Sequence, residues 1–587
     1  MPIARRSPLI PLRPSRPFSN VALVEGDPIP GDDDSPKRGF TSPKTRDLTN
    51  EQRQEMRSEL LEHLRHKDPW RLFRTLSEVS RDAKLIKSLP ATTFTEILRL
   101  FDPEYLMVPY RDLHQSMSSA TARQLGTERL VRQFQRHLDD IKRITRIRRQ
   151  AGVHLRLADY KLLLNSTRVL GDGVAARGLW TDMWRDGVVP DADCYNYLME
   201  ALCWSGEYLP DRRQSLRVIP FNAIKRKAME QKEQGLSSSR SQLRSEVSRI
   251  VTQMANQGLE RDERTYTLVM ISMGRAGDIS GVKSVMKRVW NIDVDGLISG
   301  EEDALEPVTR NHIFDPLFPR SHLLFTIAHV FGTNNQIPIA LRVMDYVSRQ
   351  YSIEIPIAAW SQLLEWTFVL SVPRPRAREL DSLNTGRLPM EAVEKLWQTM
   401  TSKPYEVKPT MRLYNFYLKN LFRRQQWDLY QEQLEDARKL YISSFLNYRQ
   451  VLSRYKHSQR LRESNANASR NTSELFQDYS TGMSHLQIAH SQLYEEMKLA
   501  RLVQRRDEAY MKRWVRILLT NRRWRVSSVA SALAWERRQL PDIIQKYQAF
   551  LPENVGYMTS GGYVSFDSSS EKRSSPKYTH NLKTLAT

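Results

Sequence analysis

Apolar residues recur along the middle of the chain at i, i+3, i+4 and i+7, each set opening on an aromatic or large aliphatic residue. Tyr195, Leu198, Met199 and Leu202 make one stripe, Tyr266, Val269, Met270 and Met273 a second, and Tyr414, Tyr417, Leu418 and Leu421 a third. Weaker copies start at Phe94 (with Ile97, Leu98 and Phe101), Leu324 (Ile327, Ala328, Phe331) and Trp360 (Leu363, Leu364). This spacing puts each set on one helix face and predicts that the face is buried. A stop such as Ser205-Gly206 follows, where glycine adopts a left-handed cap at little cost. A second helix is then expected, for example Ala175 to Arg185, ending at Gly187 and leading through Val188-Val189-Pro190-Asp191 into the next stripe.

The stripes keep a register. Tyr160 and Tyr195 are 35 residues apart and Tyr266 follows 71 later; Gly171, Gly206 and Gly277 repeat those intervals, as do Gly152, Gly187 and Gly258. Met183 and Met254 differ by 71, as do Asp191 and Asp262. A lone helix pair leaves too much apolar surface in water, whereas stacked pairs bury it and generate a superhelix with a long concave face. The expected fold is therefore all-α, an α-solenoid of degenerate helix hairpins of about 35 residues, with insertions and a helical C-terminal arm. The aromatic stripes are core in this reading, so function must lie on the residues between them.

The expected organisation follows the composition. Residues 1–24 carry Arg5, Arg6, Arg13 and Arg16 with several serines and no acid, the make-up of a mitochondrial transit peptide. A linker (25–50), degenerate N-terminal repeats (51–157) and the clearest repeats (158–292, interrupted at 209–244) come next. An acidic loop (293–316) precedes further repeats at 317–427, interrupted at 371–389. A charged helical region fills 428–550, and residues 551–587 read as a disordered tail.

Lysine and arginine exceed aspartate and glutamate by 89 − 67 = 22. That excess favours a polyanionic partner, nucleic acid or an anionic membrane surface. The longest apolar run, near Leu323 to Phe331, is too short to span a bilayer. Cys194 and Cys203 cannot form a disulfide framework or a four-ligand zinc site. No phosphate-binding loop occurs, and Gly171-Asp172-Gly173 reads as a helix-ending turn. The His-x-Glu and Cys-x-x-Cys pair that a zinc deaminase needs is missing. No catalytic residue, metal, cofactor or small-molecule substrate is expected.

Met183-x-x-x-Gly187-Val188-x-Pro190-Asp191-x-x-x-Tyr195-Asn196-x-Leu198 resembles the pentatricopeptide repeat. Val407-Lys408-Pro409-Thr410, with Leu413-Tyr414-Asn415, and the stretch Gly258 to Gly277 are further matches. The clear resemblance covers about residues 148–292 and 390–427. The layout, with its basic leader, looks like the fungal mitochondrial ATPase-expression group and related organellar translation activators. The resemblance implies that each repeat offers one RNA base a residue from the start of its first helix and its last residue. By register the first kind falls on Lys161, Asn196, Thr267 and Asn415, the second on Asp191 and Asp262; Asn196 with Asp262 is the combination associated with uridine. Where the family places a small aliphatic residue that sandwiches the base, this chain has Ala158, Asp193, Arg264 and Arg412, and the two arginines suit stacking or phosphate contact. Lys142, Arg143 and Arg146 on one predicted helix, and Arg513, Trp514, Arg523 and Trp524 further on, combine charge or rings in the way a single strand requires. The partner so implied is single-stranded mitochondrial RNA, with the mitochondrial ribosome or inner-membrane-associated translation factors as further partners. A scaffold or assembly role on the mitochondrial ribosome or a respiratory complex stays open beside it.

Overall fold

The computed structural model describes residues 49–551 except 80–81, 116, 118–124, 126–127, 206–241, 301, 303–304, 311, 373–386, 472–478 and 521–538, together with strands 554–559 and 562–567. The expected leader and most of the first insertion lie outside the described residues.

Among the described residues, seven helices start in one register, each opening directly after a cap and placing its landmark residue fourth from that cap. They are Ala91–Leu100, Leu157–Leu170, Ala192–Cys203, Glu263–Ala276, Ser321–Thr333, Ile357–Leu370 and Met411–Arg424, capped by Pro90, Arg156, Asp191, Asp262, Arg320, Pro356 and Thr410. The landmarks are then Phe94, Tyr160, Tyr195, Tyr266, Leu324, Trp360 and Tyr414. All are buried except Tyr266, which is half-buried. Where the cap is Asp191 or Asp262, its carboxylate accepts the backbone N–H of Cys194 (2.9 Å) or Thr265 (2.8 Å), satisfying a donor the helix cannot. Gly171 and Gly277 end two of these front helices with φ of 62° and 81°, a conformation other residues enter only with strain.

From the Tyr160 unit onward a second helix returns antiparallel: Gly173–Arg185, residues 242–256, Ile279–Trp290, Ile337–Tyr351, Ala392–Thr401 and the start of Trp427–Asn471. The landmark tyrosines tie the pair together. Tyr160 Oη donates to Asp186 (2.5 Å) and Tyr195 Oη to Gln257 (2.9 Å), acceptors that each stand one residue before the helix-ending Gly187 or Gly258. Tyr266 meets Trp290 of its own second helix edge-on at 6.2 Å. Equivalent tyrosines thus occupy equivalent places on successive hairpins.

Consecutive front helices from Phe94 to Tyr414 lie directly against one another and form a continuous layer. Glycine permits the closest approaches: a Cβ on Gly274 would sit 2.5 Å from Val330 Cγ1, and one on Gly332 2.4 Å from Trp366 Cδ1. The acidic stretch after Trp290 is less loop-like than expected. It contains the helix Val294–Ser299, and beyond it the Glu263 carboxylate accepts the N–H groups of Arg320 and Leu323 at 3.1 and 3.0 Å.

The charged C-terminal region is an antiparallel pair of long helices, Trp427–Asn471 and Tyr479–Thr520. The pairing is read from Tyr430 with Trp514, Tyr441 with Gln504, Arg454 with Glu496 and Ser458 with His490. The returning helix packs on the Tyr414 helix near its base and on helices Pro69–Val79 and Val108–Gln115 further along. There Tyr110 Oη donates to Glu495 at 3.1 Å. The arm therefore bridges the last unit and the helices near the start of the array. Residues 554–559 and 562–567 pair as an antiparallel hairpin, a correction to the disordered tail expected from 551 onward: the β-branched and aromatic residues Val555, Tyr557, Tyr563, Val564 and Phe566 favour strands over coil.

Gly274→Ala is expected to destabilise the protein by about 1–3 kcal/mol through overpacking. Adding Val330→Ala should recover part of that loss, measured by chemical denaturation; no rescue would show that the two front helices do not meet there.

Candidate nucleic-acid interface

The register brings Asn196 and Asp262 together, as its spacing requires. Asn196 Nδ2 stands 3.1 and 3.2 Å from the two Asp262 carboxylate oxygens, which only an amide N–H₂ can serve as donor. The Thr265 hydroxyl lies 2.8 Å from Asn196 Oδ1 and 2.7 Å from Asp262 Oδ1, so its single proton is shared between two acceptors. Asn196 is fully buried. The pair is a satisfied junction between two units, not the solvent-facing pair the register suggested. Its Asp262 carboxylate also caps the next helix, which draws the asparagine inward.

The neighbouring positions are committed in similar ways. Thr267 is buried and donates to the Arg264 carbonyl at 2.8 Å, so it presents no group outward. Lys161 bridges Asp191 (3.1 Å) and Asp193. Burial works against both charges, yet Asp191 still titrates below the usual carboxylate range because the Cys194 N–H and Lys161 outweigh it. Asn415, on the last front helix, is nearly buried, and its Oδ1 has no hydrogen-bond partner in the structure.

Arg264 and Arg412 follow one rule. Arg264 donates through Nε (3.1 Å) and Nη2 (2.6 Å) to Glu200, and Arg412 through Nη2 to Glu365 at 2.9 Å. In both cases the arginine precedes its landmark by two residues, and the glutamate follows the previous unit's landmark by five. Both arginines are spent on stitching adjacent units, which corrects the expectation that they meet RNA. Glu200 also takes Arg168 at 3.2 Å, and the Tyr197 ring lies beneath both guanidinium groups, 5.3 Å from Arg168 and 5.0 Å from Arg264. Burial pushes the Glu200 carboxyl up, but Arg264 and Arg168 together hold it below its ordinary value.

The basic stretches divide. Lys142 and Arg146 are exposed, Lys142 3.7 Å from Asp172; Arg143 pairs with Asp140 at 3.2 Å on the same helix. Arg513 is exposed, whereas Trp514 is fully buried and stacked on Tyr510 at 5.3 Å, because it seals the base of the arm. Trp514 therefore cannot stack on a base. Arg523 and Trp524 lie outside the described residues.

The sequence reading missed half-buried rings on the front helices. Trp204 lies 6.1 Å from Phe325 and 4.9 Å from His329, with the Arg275 guanidinium 5.3 Å from the Trp204 ring. Tyr197 and Trp204 belong to the third unit and Phe325 and His329 to the fifth, so the Trp204 contacts join units that are not consecutive. The signal was an aromatic two residues after Tyr195 and another beside Leu324, both outside the buried stripe. His329 itself is held neutral, its value pushed down to about 3 by burial and then by Arg275. Among the described residues, no group of three His, Cys, Asp or Glu side chains could hold a metal, and no helix is long and apolar enough to cross a membrane.

Among the described residues, seven front helices in one register, stacked into one layer, define a helical-repeat solenoid. Residues 263–380 match the family model described as mitochondrial ATPase expression, so the chain carries that signature over the fourth to sixth units. Among solved structures, the pentatricopeptide repeat protein PPR10 from maize is similar at 17% identity over 66% of this chain and 60% of that one, with a TM-score of 0.21. PPR10 in complex with an 18-nt psaJ RNA element gives 12% identity over 62% and 59%, with the same TM-score of 0.21. The chain spans about three fifths of the length of those structures. No curated protein matches the sequence.

Glu200→Gln is expected to cost about 1–3 kcal/mol at neutral pH by leaving Arg168 and Arg264 without their carboxylate. A carboxyl depressed on folding stabilises fully above its unfolded value of about 4.3 and loses that contribution as pH falls through the folded value. The gap between wild type and variant should therefore close below about pH 4 in pH-dependent denaturation; a constant gap would contradict the ion-pair assignment.

Proposed function

We propose that the chain acts in mitochondrial gene expression by binding single-stranded RNA along its front-helix layer, supporting the stability, processing or translation of an organellar transcript. The observation that carries this reading is the common register of seven front helices, which repeats the same surface position once per unit, as a strand of regularly spaced nucleotides requires. The family match over residues 263–380 supports the organellar setting, and the net charge of +22 supports a polyanionic partner. In this reading Tyr197, Trp204 and Phe325 stack on bases, and Lys142, Arg146 and Arg513 meet phosphate. The Asn196–Asp262 pair, with Lys161, Asp191, Thr267 and Asn415 at related positions, tunes preference only where a base displaces internal hydrogen bonds. The chain works in the mitochondrion without catalysis of its own.

The burial of Asn196 and Thr267 favours a second reading, a scaffold on the mitochondrial ribosome or a respiratory-complex assembly intermediate. Titration of the full chain with single-stranded RNA separates the two. With six to ten phosphate contacts on a single strand, affinity should fall roughly 3×10²- to 2×10⁴-fold between 50 and 200 mM salt. Tyr197→Ala with Phe325→Ala should weaken binding further without altering the salt slope. Absent or salt-independent binding would leave the scaffold reading.

A further inference from the structure

The first arm helix carries a charge pattern that neither the repeats nor the arm's packing uses. From Ala437 to Arg462 it has no acidic residue and seven lysines and arginines. Three are engaged: Arg438 with Glu435 at 2.6 Å, Lys439 with Asp436 at 2.8 Å and Arg454 with Glu496 at 3.3 Å. Arg449, Lys456, Arg460 and Arg462 are exposed, and among the described residues no ion pair engages them. Arg449, Ser453, Lys456 and Arg460 fall at intervals of four, three and four, which is one stripe of a helix. The three cations span about 16 Å of helix axis.

We propose that this outer stripe of the arm, Arg449, Lys456 and Arg460, is a second contact for the RNA backbone that grips phosphate without reading bases. It rests on the reading that the chain binds RNA. The arm's apolar side is already taken by the returning helix, where Tyr441, Ile442 and Val451 are buried and Tyr455 stacks on His490 at 4.8 Å. What remains outward between the cations is polar, with Gln450, Ser453, His457 and Gln459 exposed and Leu446 and Leu461 standing singly. A helix lying in a membrane surface needs a free apolar face, which this one lacks. A backbone-tracking rail needs cations at short intervals along a polar surface, which this one has.

Placement agrees. The arm reaches from the Tyr414 unit to helix Pro69–Val79, so a strand running off either end of the front-helix layer comes near it. At its far end further positive charge collects. Burial pushes His490 down and the charges of Arg462 and Arg71 push it further, while Arg71 has Asp68 at 3.6 Å. A bound phosphate backbone offsets such like-charge repulsion.

The test is the triple variant Arg449→Gln, Lys456→Gln, Arg460→Gln in the full chain, titrated with unstructured oligouridylate across a salt series. Loss of three single-strand contacts should reduce the slope of log affinity against log salt by about 2, with the thermal midpoint unchanged. Arg449→Lys with Arg460→Lys should keep the wild-type slope. If wild type binds the oligonucleotide and the triple variant keeps the full slope, the arm proposal is overturned while RNA binding stands. If only co-sedimentation with phosphatidylserine-containing vesicles is lost, the surface belongs to lipid and the proposal is overturned. If wild type does not bind RNA at all, the functional reading fails first.

Discussion

The structure depends on the burial of one large side chain per hairpin. Tyr160, Tyr195, Leu324 and Trp360 have no exposure, and each stands on a front helix that packs against both its own second helix and the next front helix. Burying a side chain of this size stabilises by roughly 1.5–3 kcal/mol, but a lone hairpin cannot exclude water from it. Burial is therefore completed only by the neighbour. That requirement fixes the register from Phe94 to Tyr414 and excludes a unit that slips by even one residue, since a slip would rotate the landmark out of the interface. It also explains why insertions are confined to the connections between helices.

Within that constraint, charge is spent before it reaches the surface. Arg148 is buried, with its guanidinium donating to the carbonyls of Ile86 and Leu89 and lying 4.4 Å over the Phe94 ring. Arg149 holds Asp182 and Asp186, and Arg264 and Arg412 hold the glutamates of preceding units. Buried Arg148 and the part-buried Arg149, Arg264 and Arg412 are tolerated because each meets carbonyls, carboxylates or a ring face. A net charge of +22 consequently overstates the charge open to a partner along the repeats. The exposed surplus moves outward to Lys142, Arg146 and the arm.

The repeats were legible in the sequence because helix-face periodicity and cap chemistry are local. The stripes at Tyr195 and Tyr266, the caps at Asp191 and Asp262 and the stops at Gly187 and Gly258 all involve residues within a few positions of one another. The arm was legible only as helix, since nothing local pairs Tyr430 with Trp514 across 84 residues. For the same reason Trp514 read as a possible stacking surface when it seals a long-range contact. The Asn196 position was found, but its burial was not, because exposure depends on the 66-residue link to Asp262 across an insertion. Arg264 and Arg412 misled in a related way: an arginine's charge is visible in a sequence, whereas its glutamate, a unit away, is recognisable only once the register is known.

The satisfied Asn196 changes what base recognition can contribute. A base edge that bonds Asn196 must replace the bonds to Asp262 and Thr265, an exchange of similar bonds whose net gain is on the order of 1 kcal/mol or less. Such a gain distinguishes one base from another by only several-fold and cannot by itself hold a strand. Phosphate contacts face less of that competition, because the cations at Lys142, Arg146 and the arm are exposed, and Tyr197, Trp204 and Phe325, although packed against Arg168, Arg264, Arg275 and His329, keep part of each ring open. Affinity in such a protein is therefore set chiefly by backbone and stacking, with selectivity accumulating in small steps over several units. The longer the strand that must be gripped, the more a rail joining the two ends of the array adds, which gives the arm a physical reason to be long.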